Sequence, residues 1–159
     1  MADYTTVRDE ALKVLHAQEI TETRLKTLCE FLHEILPDYD WVGFYWNHPE
    51  KPRTLKLGAY AGGPTEHVEI PFGKGICGQV ADSNEFYLTG DVSQEANYIA
   101  CSVDTKSELV YPIRRNGTFI GQLDIDSHAP DAFNDQDVEL LEAICAYIGE
   151  NYLPFEDED

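Results

Sequence analysis

Two helical patterns that enclose a block of short β-prone segments restrict this chain more than any other feature. Over residues 23–36, Leu25, Leu28, Cys29, Leu32, Ile35 and Leu36 recur at helical spacing, and Pro37-Asp38 ends the pattern. Near the other end, Val138, Leu141, Ile144, Cys145 and Ile148 repeat with the same period. Asn134 precedes them as a suitable N-cap, and acids in the first turn complement the helix dipole. Between these helices, segments 41–46, 54–61, 68–70, 86–88, 108–113 and 118–126 are rich in branched and aromatic residues and are separated by Gly-, Pro- and Asn-bearing stretches. Strands that follow one another, rather than alternating with helices, predict an α+β fold. It would be an antiparallel sheet of about six strands with the N- and C-terminal helices packed on one face.

A chain of 159 residues with 43% hydrophobic content fills one core and not two, so residues 1–155 are expected to form a single domain, with 156–159 as a solvated acidic tail. Thirty acids against eleven bases give a net charge of −19, which repels phosphate backbones and anionic headgroups. Nucleic acid and membrane are therefore excluded as expected partners. Neither a signal pattern nor an apolar run of about 18 residues is present, so a soluble, cytoplasmic protein is expected.

In a reducing compartment the four cysteines, Cys29, Cys77, Cys101 and Cys145, are poor candidates for structural disulfides. Cys29 and Cys145 fall on the apolar stripes of the two helices and read as core. Cys77 ends the glycine-dense run Gly73-Lys74-Gly75-Ile76-Cys77-Gly78, which lacks the spacing of a phosphate loop and reads as a strand-to-helix turn.

In order along the chain stand Trp41-Val42-Gly43-Phe44-Tyr45, Ile70-Pro71-Phe72-Gly73-Lys74-Gly75-Ile76-Cys77-Gly78, Ile99-Ala100-Cys101, Ser107-Glu108 and Gly121-Gln122-Leu123-Asp124-Ile125-Asp126-Ser127. With twenty-four positions from Cys77 to Cys101 and twenty-three from Cys101 to Asp124, this series resembles the free methionine-(R)-sulfoxide reductase family, which has a GAF-type fold. The resemblance implies reduction of the free amino acid's sulfoxide by Cys101 as attacking thiol, without a cofactor. It assigns Glu108, Asp124 and Asp126 to the sulfoxide and amino-acid groups, and Trp41 and Tyr45 to a wall around the methyl end. It also implies a homodimer that draws electrons from a thioredoxin-like dithiol.

The residues suit this chemistry. A thiolate that attacks sulfur needs an acid to protonate the departing oxygen, and the resulting sulfenic acid needs a second thiol to close a disulfide. Cys77 is the expected resolving thiol, and its place near a helix start favours a thiolate. Asp124 and Asp126 share one face of a strand, and with Glu108 nearby they resist simultaneous ionisation, which keeps one carboxyl protonated. Asn116-Gly117 predicts a hairpin between the last two strands. A plain two-residue turn would place Glu108 opposite Ile125, on the wrong face. A three-residue loop with Gly117 in the left-handed region, shifting the pairing by one, is therefore expected.

In one respect the sequence departs from the family pattern, which has a cysteine ten positions before the one corresponding to Cys77; here that position is His67. Its plainest reading is an exposed strand residue without a role. A zinc site of His67, Cys77, Cys101 and a carboxylate is not expected, because the ligands are far apart in sequence and lack paired C-x-x-C spacing. The loss of that cysteine leaves one alternative, a non-catalytic GAF sensor that binds a small molecule in the same pocket. Against it, the sequence contains no linker helix and no second domain to receive a signal.

Overall fold

The computed structural model describes residues 3–95 and 104–154. Its elements run α1 (Tyr4–His16), α2 (Glu22–Ile35), β1 (Trp41–Asn47), β2 (Thr54–Ala61), β3 (Glu69–Pro71), α3 (Gly75–Ser83), β4 (Tyr87–Thr89), a 3-10 turn (Val92–Gln94), β5 (Ser107–Arg115), β6 (Thr118–Ser127) and α4 (Asp135–Asn151). The expected α+β architecture is present: the six strands form one antiparallel sheet in the order β3-β2-β1-β6-β5-β4.

Alternation along the central strands sorts side chains between two cores. Val42, Phe44, Leu109, Ile113, Leu123 and Ile125 face one side, where they pack with buried residues of α1, α2 and α4. Cys29 and Cys145 lie in that core, and burial pushes both thiols well above their ordinary range, as expected of inert packing cysteines. Trp41, Tyr45 and Val110 face the other side, where α3 covers them with Ile76, Cys77, Val80 and Ala81.

The helix α1 is an addition to the expected set. Its stripe is only Val7, Ala11 and Leu15, one residue per turn, diluted by threonines and charges. Tertiary contact completes it: the hydroxyls of Tyr4 and Tyr39 donate to Asp137 Oδ1 at 2.8 and 2.7 Å, tying α1 and the approach to β1 to the start of α4. Asp137 also closes a capping box with Asn134, the predicted N-cap.

At the β5–β6 turn the structure corrects one expectation. Asn116 and Gly117 have φ of 52° and 82°, so they form a two-residue turn joining the pair Arg115–Thr118, and the three-residue loop does not occur. The shift in pairing is nonetheless present, two residues further on. Arg114 pairs with Phe119 and Ile113 with Gly121, so Ile120 is a bulge that advances β6 by one residue. Beyond it, Glu108 pairs with Asp126 and Val110 with Asp124. Side-chain bonds then clamp α3 onto this hairpin: Asn84, its left-handed C-cap, donates to the Gly117 carbonyl at 3.1 Å and accepts from Arg114 Nε at 3.0 Å.

Candidate active site

The register of β1, β6, β5 and β4 writes the site as rows across the sheet. One row runs Trp41, Asp126, Glu108 and Thr89 from β1 to β4; the next runs Gly43, Asp124, Val110 and Tyr87. Because all these side chains point to the α3 face, the three acids form one cluster. Glu108, Asp124 and Asp126 are 3%, 0% and 1% exposed, so water does not stabilise their charges. The third residue of α3, Cys77, meets the cluster from above: its thiol lies 3.3 Å from Asp124 Oδ2 and 4.0 Å from Glu108 Oε2.

Burial holds the Glu108 carboxyl well above the usual carboxylate range, and the neighbouring charges of Asp124 and Asp126, together with hydrogen bonds to them, push it further. Asp124 is also raised by burial, but hydrogen bonds from Glu108 and Cys77 and the bond shared with Asp126 oppose that rise. The proton therefore resides chiefly on Glu108, and the set titrates as a unit. A buried carboxylic acid that stays protonated at neutral pH is a proton donor.

Two openings reach the cluster. A cavity of about 350 Å³ is lined by Asp40, Trp41, Gly63, Pro64, Thr105, Asp126 and His128. A crevice of about 10 Å³ on the other flank is lined by His67, Lys74, Cys77 and Glu108 among others. A larger hollow of about 610 Å³ lies between α2 and the end of β2, beside Lys26, Glu30 and Tyr60. It holds neither a thiol nor a buried acid, so its size does not make it the reactive site.

The structure brings Cys77, Glu108, Asp124, Asp126 and Trp41 together. Trp41 lines the larger cavity, stacks on Tyr60 with ring centres 5.4 Å apart, and donates its indole N–H to the Gly63 carbonyl at 3.0 Å. Tyr45 is placed differently: it is fully buried, and its hydroxyl donates to the His67 carbonyl at 2.8 Å. It stacks behind Trp41, with ring centres 6.3 Å apart, and holds the chain entering β3. His67 precedes β3 rather than lying on it, is half-buried, and lines the crevice at Cys77, so the plain exposed-strand reading does not hold. Cys101 lies outside the described residues.

Two residues of the site escaped the sequence reading. Gly43 stands opposite Asp124, and a Cβ there would lie 2.2 Å from Trp41 Cη2; only a bare backbone lets the indole fold across it. Gln122 shares the face of Asp124 and is fully buried, yet its amide oxygen and nitrogen have no hydrogen-bond partner among the described residues. Their motifs contain both residues, but no spacing rule singles out a glycine or a glutamine whose importance is decided by a neighbouring strand.

Comparison with known proteins identifies the family and the fold. The GAF domain family matches residues 21–151. The free methionine-R-sulfoxide reductase of Escherichia coli is 36% identical over 117 residues, covering 74% of this chain and 68% of that protein. The reduced form of fRMsr of Staphylococcus aureus superposes with a TM-score of 0.84 at 35% identity, over 94% of each chain. The free methionine-R-sulfoxide reductase from Neisseria meningitidis, in complex with its substrate, gives 0.87 at 29% identity, over 94% of this chain and 90% of that one. By sequence and fold, the chain belongs to the GAF-domain family of free methionine-(R)-sulfoxide reductases.

Proposed function

We propose that this protein reduces free methionine-(R)-sulfoxide to methionine. The observation that carries the reading is the buried trio Glu108, Asp124 and Asp126, with the Cys77 thiol 3.3 Å from Asp124 and a cavity of about 350 Å³ opening at Asp126. That volume falls at the small end of ligand pockets, which suits a single amino acid rather than a folded chain.

In this reaction Cys101 attacks the sulfoxide sulfur as the thiolate. Glu108 protonates the oxygen as the bond to Cys101 forms; the hydroxyl then passes from the substrate sulfur to the Cys101 sulfur while the new S–S bond breaks with its electron pair returning to the substrate, releasing methionine and leaving a sulfenic acid on Cys101. The charge remaining on the two aspartates holds the substrate's ammonium group, and Trp41 packs against its methyl end. Cys77 then displaces water from the sulfenic acid to form a disulfide with Cys101, and an external dithiol of the thioredoxin type returns both thiols. His67 in place of a family cysteine leaves Cys77 as the resolving thiol closest to the acids. The working unit on this reading is a cytoplasmic homodimer.

The test is loss of free methionine-R-sulfoxide with thioredoxin or dithiothreitol, measured for wild type, Cys101→Ser and Cys77→Ser. Cys101→Ser is expected to be inactive with either reductant. Cys77→Ser should lose turnover with thioredoxin while keeping activity with dithiothreitol. No consumption by wild type with any reductant, alongside saturable binding of the sulfoxide, would favour the sensor function instead.

A further inference from the structure

We propose that Cys77, Glu108 and Asp124 form a binding site for a borderline-soft divalent cation of the zinc class. Among the described residues, one group of at least three thiol, imidazole or carboxylate ligands comes this close together: atoms of these three lie within 4.8 Å of one another, and all three residues are buried. A tetrahedral zinc ion, with bonds of about 2.3 Å to sulfur and about 2.0 Å to oxygen, holds such ligands about 3.5 Å apart. The observed separations from Cys77 Sγ, 3.3 Å to Asp124 Oδ2 and 4.0 Å to Glu108 Oε2, bracket that value. Closing the Cys77–Glu108 pair to that value takes about half an ångström, within reach of side-chain rotation and without a change of strand register.

A second observation points to an occupant. Asp124 Oδ1 and both polar atoms of the Gln122 amide are buried without a hydrogen-bond partner among the described residues, and the two side chains lie on the same face of β6. Buried polar atoms left unpaired are costly, and a cation with its bound water supplies partners to both. The ion also removes the strain of three acids in one dry pocket. It replaces the protons of Cys77 and Glu108, so its two positive charges match the two negative ones created beside the charge already on Asp124. The net charge of −19 draws cations to the molecule before they reach the site.

Sulfur in the set selects the metal. Thiolate ligands favour zinc and cadmium, whereas magnesium and calcium require oxygen donors. The site differs from the one excluded on sequence grounds because its carboxylates come from neighbouring strands and its thiol from a helix, a convergence that sequence spacing does not display. If the reductase reading holds, on which this consequence alone rests, the ion is a reversible inhibitor: it occupies Cys77 and displaces the Glu108 proton.

The reduced protein is titrated with Zn²⁺ against a chromophoric chelator, and with Cd²⁺ while the thiolate-to-metal charge-transfer absorbance is recorded. One equivalent is expected to bind with release of protons, unaffected by an excess of Mg²⁺ or Ca²⁺. Cys77→Ser should abolish the Cd²⁺ absorbance, and Asp124→Asn should weaken Zn²⁺ binding about tenfold or more. Cys101→Ser should leave both signals in place, and circular dichroism establishes that each variant is folded. Failure of the wild type to bind one equivalent overturns the proposal, as does binding that persists in both Cys77→Ser and Asp124→Asn or that disappears in Cys101→Ser. A protein that binds zinc but reduces no sulfoxide would overturn the reductase reading and leave the metal site standing.

Discussion

Glu108 shows how a residue of ordinary chemistry acquires its role from what surrounds it. On an exposed strand it would be ionised at neutral pH; between Asp126, Asp124 and the floor of α3 it keeps its proton. The folded state then holds a proton that the unfolded chain releases above about pH 4.3, so this group costs stability progressively as pH rises from there toward its elevated folded value. Asp124, raised in the same direction, adds to that decline. Glu108→Gln should therefore stabilise the protein by about 1 kcal/mol or more near pH 7, with no gain near pH 4, when denaturant melts are compared at the two values. The same variant should lose at least about 100-fold in turnover, the contribution of a positioned acid. Wild-type activity should fall on the alkaline side as Glu108 deprotonates. Gly43 gives a complementary prediction, since a methyl group there strikes the Trp41 ring and not the acids. Gly43→Ala should raise KM for the sulfoxide more than it lowers kcat, and steady-state kinetics separates the two.

At the scale of elements, the helix α3 and the β5–β6 hairpin bring the thiol to the acids, and Asn84 is the joint between them. It takes φ of 61° at the end of α3 and bonds both the Gly117 carbonyl and Arg114. Asn84→Ala should cost about 1–2 kcal/mol through the left-handed backbone alone, and Asn84→Gly less, as read from thermal melts. Loss of thioredoxin-linked turnover beyond that explained by unfolding would show that Cys77 has drifted from Asp124. The hairpin also shows what was legible. Asn116-Gly117 announced the turn, and the need for Glu108 to face the aspartates announced a one-residue shift. The place of that shift, at Ile120, was not readable, because a bulge is set by how β6 meets β1 and β5 together, with Trp46 and Ile113 flanking Gly121. α1 was missed for a related reason: its three apolar residues form a helix face only against α2 and α4, which already stand in place.

For the whole molecule, charge is the dominant unabsorbed property. Eleven basic residues cannot neutralise thirty acidic ones, so the folded state carries net self-repulsion. The ion pairs at the surface, such as Lys51–Glu69 at 2.7 Å, are exposed and contribute little against it. Added sodium chloride shortens the screening length from about 10 Å at 0.1 M to about 3 Å at 1 M. The melting temperature should accordingly rise by a few degrees over that range in scanning calorimetry, and a fall would show that local ion pairs outweigh the net repulsion.

By itself the sequence determined the class of fold and pointed to several residues that the fold brings together. Helical periods at the two ends, alternation in between and turn residues at the joints are local signals, carried by neighbours along the chain, and they specified the approximate places of all six strands as well as the inert core cysteines. The ordered motifs named Cys77, Glu108, Asp124, Asp126 and Trp41 correctly as residues that meet. Only the tertiary structure decided that Tyr45 is buried against Trp41, that His67 borders the Cys77 crevice, and that Gly43 and Gln122 stand beside the acids. Those facts depend on which strand lies beside which, and in what register. A pairing between residues some eighty positions apart, such as Gly43 with Asp124, leaves no periodic trace in either segment.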